Sequence, residues 1–306
     1  MTGRFRRRLL LVGTVAALLL TGCTATAPDG EPVRIVVTTN ILGDVVEQVV
    51  GDAAEVTTLM KPNADPHSFA VSARESALMA EADLLVTSGL GLEEGLEQHL
   101  SRAAASGSRL FVAGDHLAVL DYAPDAGSDT PDPHFWTDPL RMAEVVDALG
   151  RELATVEGID IPAVELGVRE YRAQLVELDE RMRDSFRRIP SERRALVTNH
   201  HVFGYLAERY DFKLVGAVIP GGTTLAAPSA ADLDGLATAI RQAGVPAIFA
   251  ESSQPDRLVR ALAEESGIHV EVIELFSESL SEPGDGAGSY LEMMYSNTER
   301  ITDGLG

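Results

Sequence analysis

Cysteine, basic residues and long hydrophobic runs are scarce in this chain of 306 residues, and each scarcity excludes a class of protein. Cys23 is the only cysteine, so no disulfide can form within the chain. Lysine and arginine number 25 against 47 acidic residues, which excludes the basic surface that nucleic-acid binding requires. Only one apolar run stands out, near the N-terminus, and it is too short to span a bilayer as a mature helix. What remains is a globular chain with enough residues for two domains.

The apolar run, Leu9–Leu20, follows four arginines and has the length of a signal-peptide core, so we predict a signal peptide over residues 1–22. The next motif, Leu20-Thr21-Gly22-Cys23, resembles a bacterial lipobox, which implies lipidation of Cys23. Residues 23–32 would then be a flexible lipidated tether, and the protein would lie at the extracytoplasmic face of the bacterial cell membrane. Plain secretion, with Cys23 incidental, is the alternative. Cleavage would leave 21 basic and 47 acidic residues, a net charge of −26.

Strand-like and helix-like segments alternate on both sides of one long amphipathic helix. Apolar residues recur every three or four positions from Pro162 to Arg188, which predicts about seven turns, or roughly 40 Å. The alternation around it indicates parallel sheets flanked by helices, including a helix over Leu92–Ala104 and a strand over His269–Ile273. We therefore predict an α/β fold with two lobes joined by one rigid linking helix. The predicted bounds of the N-terminal lobe, the linking helix and the C-terminal lobe are 33–160, 161–190 and 191–306.

The tripeptide Asp-Pro-His occurs twice, as Asp65-Pro66-His67 and Asp132-Pro133-His134, and an aromatic residue follows each copy within two positions. Proline fixes one backbone dihedral and donates no hydrogen bond, so both histidines are predicted in ordered loops or at strand ends. Imidazole is the commonest protein ligand for zinc-like metals. The repeated motif therefore predicts that His67 and His134 bind one metal ion.

The second half of the chain offers partners for these histidines. His200 comes just after a predicted strand, at the carboxyl end where open α/β sheets bind ligands. Its neighbour His201, at the start of the predicted helix His201–Tyr210, takes that place if the strand ends one residue later. A glycine-rich loop before the last helix could bring Asp285 to the same position, which would place the metal in the cleft between the lobes. Glu251, at a strand end, either orients an imidazole or begins a helix.

These segments together resemble one family, the ZnuA/TroA-like metal-binding proteins of ABC importers. The resemblance covers Val33 to the C-terminus and is carried, in order, by Asn63–Phe69, Asp132–Pro139, His200–Tyr205, Phe249–Glu251, Tyr290–Met294 and Asn297. It implies two α/β lobes bridged by a rigid helix, one zinc or manganese ion in the cleft, and delivery to a membrane permease. The family's ligand positions fall on His67, His134, His200 and Asp285, with Glu282 as a nearby competitor for the last.

Three imidazoles and one carboxylate suit zinc, whereas manganese prefers more oxygen ligands, so we predict zinc first and manganese second. The acidic segment Asp115–Asp132 either passes metal to the site or is solvated surface. We expect a monomer whose partners are a divalent metal ion, an ABC permease and the membrane, and which binds no nucleic acid. The alternatives are an exported zinc-dependent hydrolase, although the His-Glu-x-x-His motif is absent, and a metal-stabilised adhesin.

Overall fold

Strands and helices alternate along the chain on both sides of one long helix. The computed structural model describes residues 31–122, 130–219, 223–225, 228–253, 256–265, 267 and 270–306. The strands are β1 (Arg34–Val37), β2 (Glu55–Thr58), β3 (Leu84–Thr87), β4 (Leu110–Val112), β5 (Ala195–Thr198), β6 (Lys213–Ala217), β7 (Ala247–Glu251) and β8 (Glu271–Leu275). The α-helices are α1 (Asn40–Val50), α2 (Ala73–Glu81), α3 (Glu97–Ala105), α4 (Pro139–Leu153), α5 (Ile161–Phe186), α6 (Gly204–Tyr210), α7 (Ala230–Ala243), α8 (Arg257–Glu265) and α9 (Tyr290–Leu305).

These strands form two four-stranded sheets with the orders β2-β1-β3-β4 and β6-β5-β7-β8. Every pairing between these strands is parallel, and the central strands β3, β5 and β7 are buried along their whole length. Continuous apolar strands of this kind need helices on both faces of the sheet. The predicted α/β fold with two parallel sheets is therefore confirmed, while the residue bounds of the lobes stay predictions.

Helix α5 is the linking element between the two sheets. The carboxylate of Asp160 accepts a hydrogen bond from the amide of Ala163, and Pro162 occupies the first turn, two features that begin a helix at this point. Its 26 residues span about 39 Å at 1.5 Å per residue. The helix packs against α1, α4 and α9, and it approaches α1 so closely that a Cβ at Gly167 would collide with a backbone carbonyl.

The main hydrophobic core runs without a break from the first sheet, across α5, to the second sheet. It includes Val45 and Leu149 on the first side, Leu175 and Phe186 on α5, and Phe249 on the second side. Protein interiors pack at nearly crystalline density and resist continuous deformation. We infer that motions of the two lobes against each other are small, because a large rotation would expose this shared core to water.

A buried carboxylate fixes α5 to the second lobe. Asp179 of α5 accepts hydrogen bonds from the side chains of Arg209 and Tyr210, both in α6, and from Arg183 one turn further along α5. Nε of Arg209 also lies 3.2 Å from Oδ1 of Asp138, the N-cap residue of α4 in the first half of the chain. Burial raises the pKa of Asp179, but these hydrogen bonds outweigh burial and hold its pKa below the usual value.

The helix predicted over Leu92–Ala104 begins later in the structure. Residues 92 and 93 are not helical, Glu94–Leu96 form a 3-10 turn, and α3 begins at Glu97. The cause is Glu93, whose carboxylate turns into the protein and accepts hydrogen bonds from groups at the ends of β1 and β3. These groups are the hydroxyls of Thr38 and Thr87 and the amides of Ser88 and Gly89.

None of the described helices is both long and apolar enough to cross a membrane. The predicted signal peptide, Cys23 and nearly all of the predicted tether lie outside the described residues.

Candidate metal centre

Three histidines from distant parts of the chain meet at the carboxyl ends of the two sheets. His67 follows β2, His134 precedes a 3-10 turn that leads into α4, and His200 lies two residues beyond β5. All three side chains are buried, and their rings lie 5.3 to 5.8 Å apart, centroid to centroid. The structure therefore brings together the three histidines that the sequence singles out.

The carboxylate that joins them is Glu278. Its Oε1 lies 2.9 Å from Nε2 of His67, 2.9 Å from Nε2 of His134 and 3.0 Å from Nε2 of His200. Ligand atoms of these four buried residues all lie within 4.8 Å of one another. One oxygen and three nitrogens thus converge on a volume the size of a single ion.

Asp285, which the sequence predicts as the fourth ligand, is not in this group. Its side chain is exposed, in a turn where Gly284 and Gly286 have φ angles of 93° and 96° and direct the intervening residue towards solvent. The competitor Glu282 is exposed as well. The structure therefore places Glu278, and not the predicted Asp285, among the three histidines.

A signal for Glu278 was present in the sequence. It follows a parallel strand, as His200 does, but we predicted that strand at His269–Ile273, whereas β8 ends at Leu275. The predicted strand end places Glu278 five residues away along the chain, where an acidic residue reads as solvated loop. His269 itself lies outside the described residues.

The repeated Asp-Pro-His motif has a local explanation. The carboxylate of Asp65 accepts a hydrogen bond from the backbone amide of His67 at 2.9 Å, and Asp132 does the same for His134 at 3.0 Å. Each motif is therefore a small turn in which the aspartate caps the amide of its histidine. The turn holds each imidazole on a short, ordered segment.

The second ring nitrogens of His134 and His200 also face polar groups. Nδ1 of His134 lies 2.8 Å from Asp132 Oδ1 and 2.9 Å from the hydroxyl of Tyr122. Nδ1 of His200 lies 3.3 Å from Glu251 Oε2, without the alignment of a good hydrogen bond. Such contacts select the tautomer that leaves Nε2 free for a metal.

Nδ1 of His67 has only a distant neighbour. Glu94 Oε1 lies 3.9 Å from it, beyond hydrogen-bond range, and the Glu94 side chain is 44% exposed. The solvent-exposed carboxylate of Glu94 therefore lies beside His67 at the edge of the site.

His201 lies outside the group of four. The hydroxyl of Thr198 donates a hydrogen bond to the carbonyl of His200, and this tight bend delays the start of α6 to Gly204 instead of the predicted His201. His201 is half-buried beside Tyr122, which donates a hydrogen bond to its carbonyl oxygen. The bend thus turns His200 into the site and His201 away from it.

The buried charges of the site influence one another. Burial raises the pKa of Glu278, but the nearby His200 and the hydrogen bonds with all three imidazoles outweigh it and hold this pKa well below its usual value. Burial alone would lower the pKa values of His134 and His200, yet their carboxylate neighbours raise both. Burial and the charge of Glu278 raise the pKa of Glu251. The site favours positive charge, on the imidazoles or on a cation.

In the described part of the acidic segment before His134, Asp132 is the aspartate that contacts a histidine of the group. Asp132 is committed to His134, and Asp121 is exposed and joined to Pro131 by an isolated antiparallel bridge. Asp125 and Asp129 lie outside the described residues.

Known proteins resemble this chain over most of its length. Residues 35–304 match the ZnuA family, described as zinc-uptake complex component A, periplasmic. Zinc-binding protein TroA of Treponema pallidum is 32% identical over 288 residues, which cover 93% of this chain and 92% of the relative. Manganese-binding lipoprotein MntA of Halalkalibacterium halodurans is 27% identical over 295 residues, which cover 95% of this chain and 96% of the relative.

The fold agrees with these matches. The solved structure of the periplasmic zinc-binding protein TroA from Treponema pallidum superposes with a TM-score of 0.82 at 31% identity, covering 90% of this chain and 100% of that one. The match to the family over nearly the whole described chain confirms the resemblance in the sequence: this chain belongs to the ZnuA family.

Proposed function

We propose that this protein captures a divalent transition metal ion outside the cytoplasm and delivers it to an ABC permease, with zinc preferred over manganese. One observation carries the proposal: three imidazole nitrogens and one carboxylate oxygen converge from buried side chains of both lobes. Relatives over more than nine-tenths of the chain carry names as zinc-binding or manganese-binding proteins, which supports a divalent metal as cargo.

The proposed ligands are Nε2 of His67, His134 and His200 together with the carboxylate of Glu278. Four protein ligands make a closed, four-coordinate site, the arrangement that zinc adopts when no position is left for water. Manganese prefers six ligands with more oxygen among them. The donor set of three nitrogens to one carboxylate is therefore the argument for zinc.

A zinc hydrolase fits this site less well. Hydrolysis needs an open coordination position for water and a general base beside it. Glu278 fills the fourth position, and two further carboxylates, Asp132 and Glu251, face Nδ1 of His134 and Nδ1 of His200 instead of the centre of the group. We therefore propose binding and transfer of the metal without catalysis.

Attachment to the membrane belongs to the same proposal. Lipidation of Cys23 would hold a monomer beside its permease at the extracytoplasmic face of the membrane, with metal exchange between the two. Incorporation of labelled palmitate into wild type but not into Cys23→Ala would support this anchor, and equal labelling of both would refute it.

Urea unfolding in the presence of each metal tests which metal is the cargo. Protein freed of metal is unfolded with urea in buffer alone, with zinc and with manganese, each at a matched free concentration. A ligand at about a thousand times its dissociation constant adds roughly 4 kcal/mol to the free energy of unfolding. We expect zinc to stabilise the protein at lower free concentration than manganese. Stronger stabilisation by manganese would reverse the assignment of cargo, and no effect of either metal would refute the proposal.

A further inference from the structure

The polypeptide that carries Glu278 belongs to the second lobe, yet residues of the first lobe hold it in place. Trp136 donates a hydrogen bond from Nε1 to the carbonyl of Ser277 at 2.8 Å, on the residue before Glu278. The amide of Asn63 donates to the carbonyl of Leu280 at 2.9 Å, two residues after it. The carboxylate is therefore held on both sides by groups from the other half of the chain.

Asn40 makes further hydrogen bonds to the segment that carries Glu278. It is the first residue of α1, just beyond the carboxyl end of β1, and its side chain is buried. Its Nδ2 donates to Ser279 Oγ at 2.8 Å and to the carbonyl of Lys61 at 3.2 Å, and its Oδ1 accepts from the amide of Leu280 at 3.0 Å. Both N–H groups and the carbonyl oxygen of this amide are thus used, two of the three on the segment that carries Glu278.

The side chain of Glu278 has little else to set its position. Oε1 contacts only the three imidazoles, and Oε2 is buried without a hydrogen-bond partner among the described residues. A carboxylate without further partners follows the backbone that carries it. The position of the backbone at residues 277–280 therefore decides where the oxygens lie.

We propose that Asn40 is a positioning residue for metal binding, which fixes the backbone on both sides of Ser279 so that Glu278 faces His67, His134 and His200. Through Lys61 the same amide ties this segment to the loop that leads to His67. Asn40, at the end of β1, thereby holds the segments of two proposed metal ligands, His67 in the first lobe and Glu278 in the second. This inference rests on the proposed function, because it assigns Asn40 a role in the affinity for the metal.

A second buried asparagine offers a matched control. Asn297 of α9 is exposed to 4%, against 7% for Asn40, and also binds backbone near Glu278. Its Nδ2 donates to the carbonyl of Phe276 at 2.7 Å, and its Oδ1 accepts from the amide of Phe276 at 3.0 Å. These bonds stay within the second lobe and close the end of β8. Loss of Asn297 removes a similar number of buried hydrogen bonds without releasing residues 277–280.

A double-mutant cycle tests the inference. Zinc affinity is measured by competition with a chromogenic chelator for wild type, Asn40→Ala, Glu278→Ala, the double variant and Asn297→Ala, with urea unfolding of each metal-free protein. We expect Asn40→Ala to weaken zinc by about 10- to 100-fold, as changes that support a ligand do. In the Glu278→Ala background the same change should cost less than about threefold, because coupled residues are not additive. Asn297→Ala should lower stability while zinc affinity stays within about threefold.

Several results would overturn the inference. They are an equal loss of affinity from Asn40→Ala with and without Glu278, unchanged affinity in Asn40→Ala, and an equal loss in Asn297→Ala. If Asn40→Ala does not fold, Ser279→Ala removes one of its acceptors and should weaken zinc by about tenfold, and unchanged affinity there refutes the role of Asn40. Wild-type affinity in Glu278→Ala would instead refute the ligand set of the proposed function, a failure that the single variant reveals separately.

Discussion

Replacing Glu278 with alanine should abolish tight zinc binding, whereas Asp285→Ala should not. Glu278 Oε1 lies within 3.0 Å of all three imidazole nitrogens, while Asp285 is exposed outside the group. Loss of a residue that only supports a ligand costs about 10- to 100-fold in affinity, so loss of a direct ligand should exceed 100-fold. Because tenfold corresponds to about 1.4 kcal/mol, the expected loss is more than about 2.7 kcal/mol of binding free energy.

The two variants form a matched pair, since each removes one carboxylate from the same stretch of chain. Each is titrated with zinc against a competing chelator at constant pH and ionic strength, after circular dichroism has shown a native spectrum. The zinc affinity of Asp285→Ala should stay within about threefold of that of wild type, because salt screens an exposed charge outside the group of ligands. Wild-type affinity in Glu278→Ala, or a larger loss in Asp285→Ala, would refute the assignment of the carboxylate from the structure.

Three further predictions test the site and the packing around it. His200→Ala should weaken zinc by more than about 100-fold and His201→Ala by less than about tenfold; chelator competition checks this, and the reverse ranking would move the ligand. Asp179→Asn should lower the free energy of unfolding by about 1–3 kcal/mol at pH 7. Folding lowers the pKa of Asp179, so the stabilisation by its carboxylate is present above the unfolded pKa of about 4 and is lost as pH falls through the folded pKa. In urea unfolding, the difference in stability between wild type and Asp179→Asn should therefore shrink below pH ~4. A difference independent of pH would contradict the ionic origin. Gly167→Ala should cost about 1–3 kcal/mol through overpacking against α1, whereas Gly235→Ala, in α7 with open space around it, should stabilise by about 0.4–1 kcal/mol; equal urea midpoints would refute the close approach of α1 and α5.

Local patterns were enough to predict three of the four residues that the structure brings together. The two Asp-Pro-His motifs predicted His67 and His134 because each motif contains its own capping carboxylate, so its geometry depends on residues two positions apart. His200 was predicted by its place at the end of a buried strand. A hydrogen bond from Thr198 to the carbonyl of His200, also a contact within a few residues, turns His200 instead of His201 towards the other histidines.

Glu278 could not be identified in the same way. The chain has 47 acidic residues, and the place of Glu278 soon after a strand is the local signal that separates it from Glu282 and Asp285. What makes it different is that Asn40 and Trp136, at least 140 residues away in sequence, bind the backbone around it. Contacts between distant segments leave no periodic pattern, so the glycine-rich loop and the family resemblance favour Asp285 and do not point to Glu278.

By itself the sequence predicted the class of fold, the long linking helix and the three imidazoles that the structure brings together, because periodic burial and short-range turns act over a few residues. The tertiary structure alone shows which carboxylate lies among these imidazoles, which residues hold it, and where the helix predicted from Leu92 begins. Each of these outcomes depends in part on a contact between distant segments, such as the hydrogen bond from Thr38 to Glu93, 55 residues apart, although Thr87, six residues from Glu93, also donates to it.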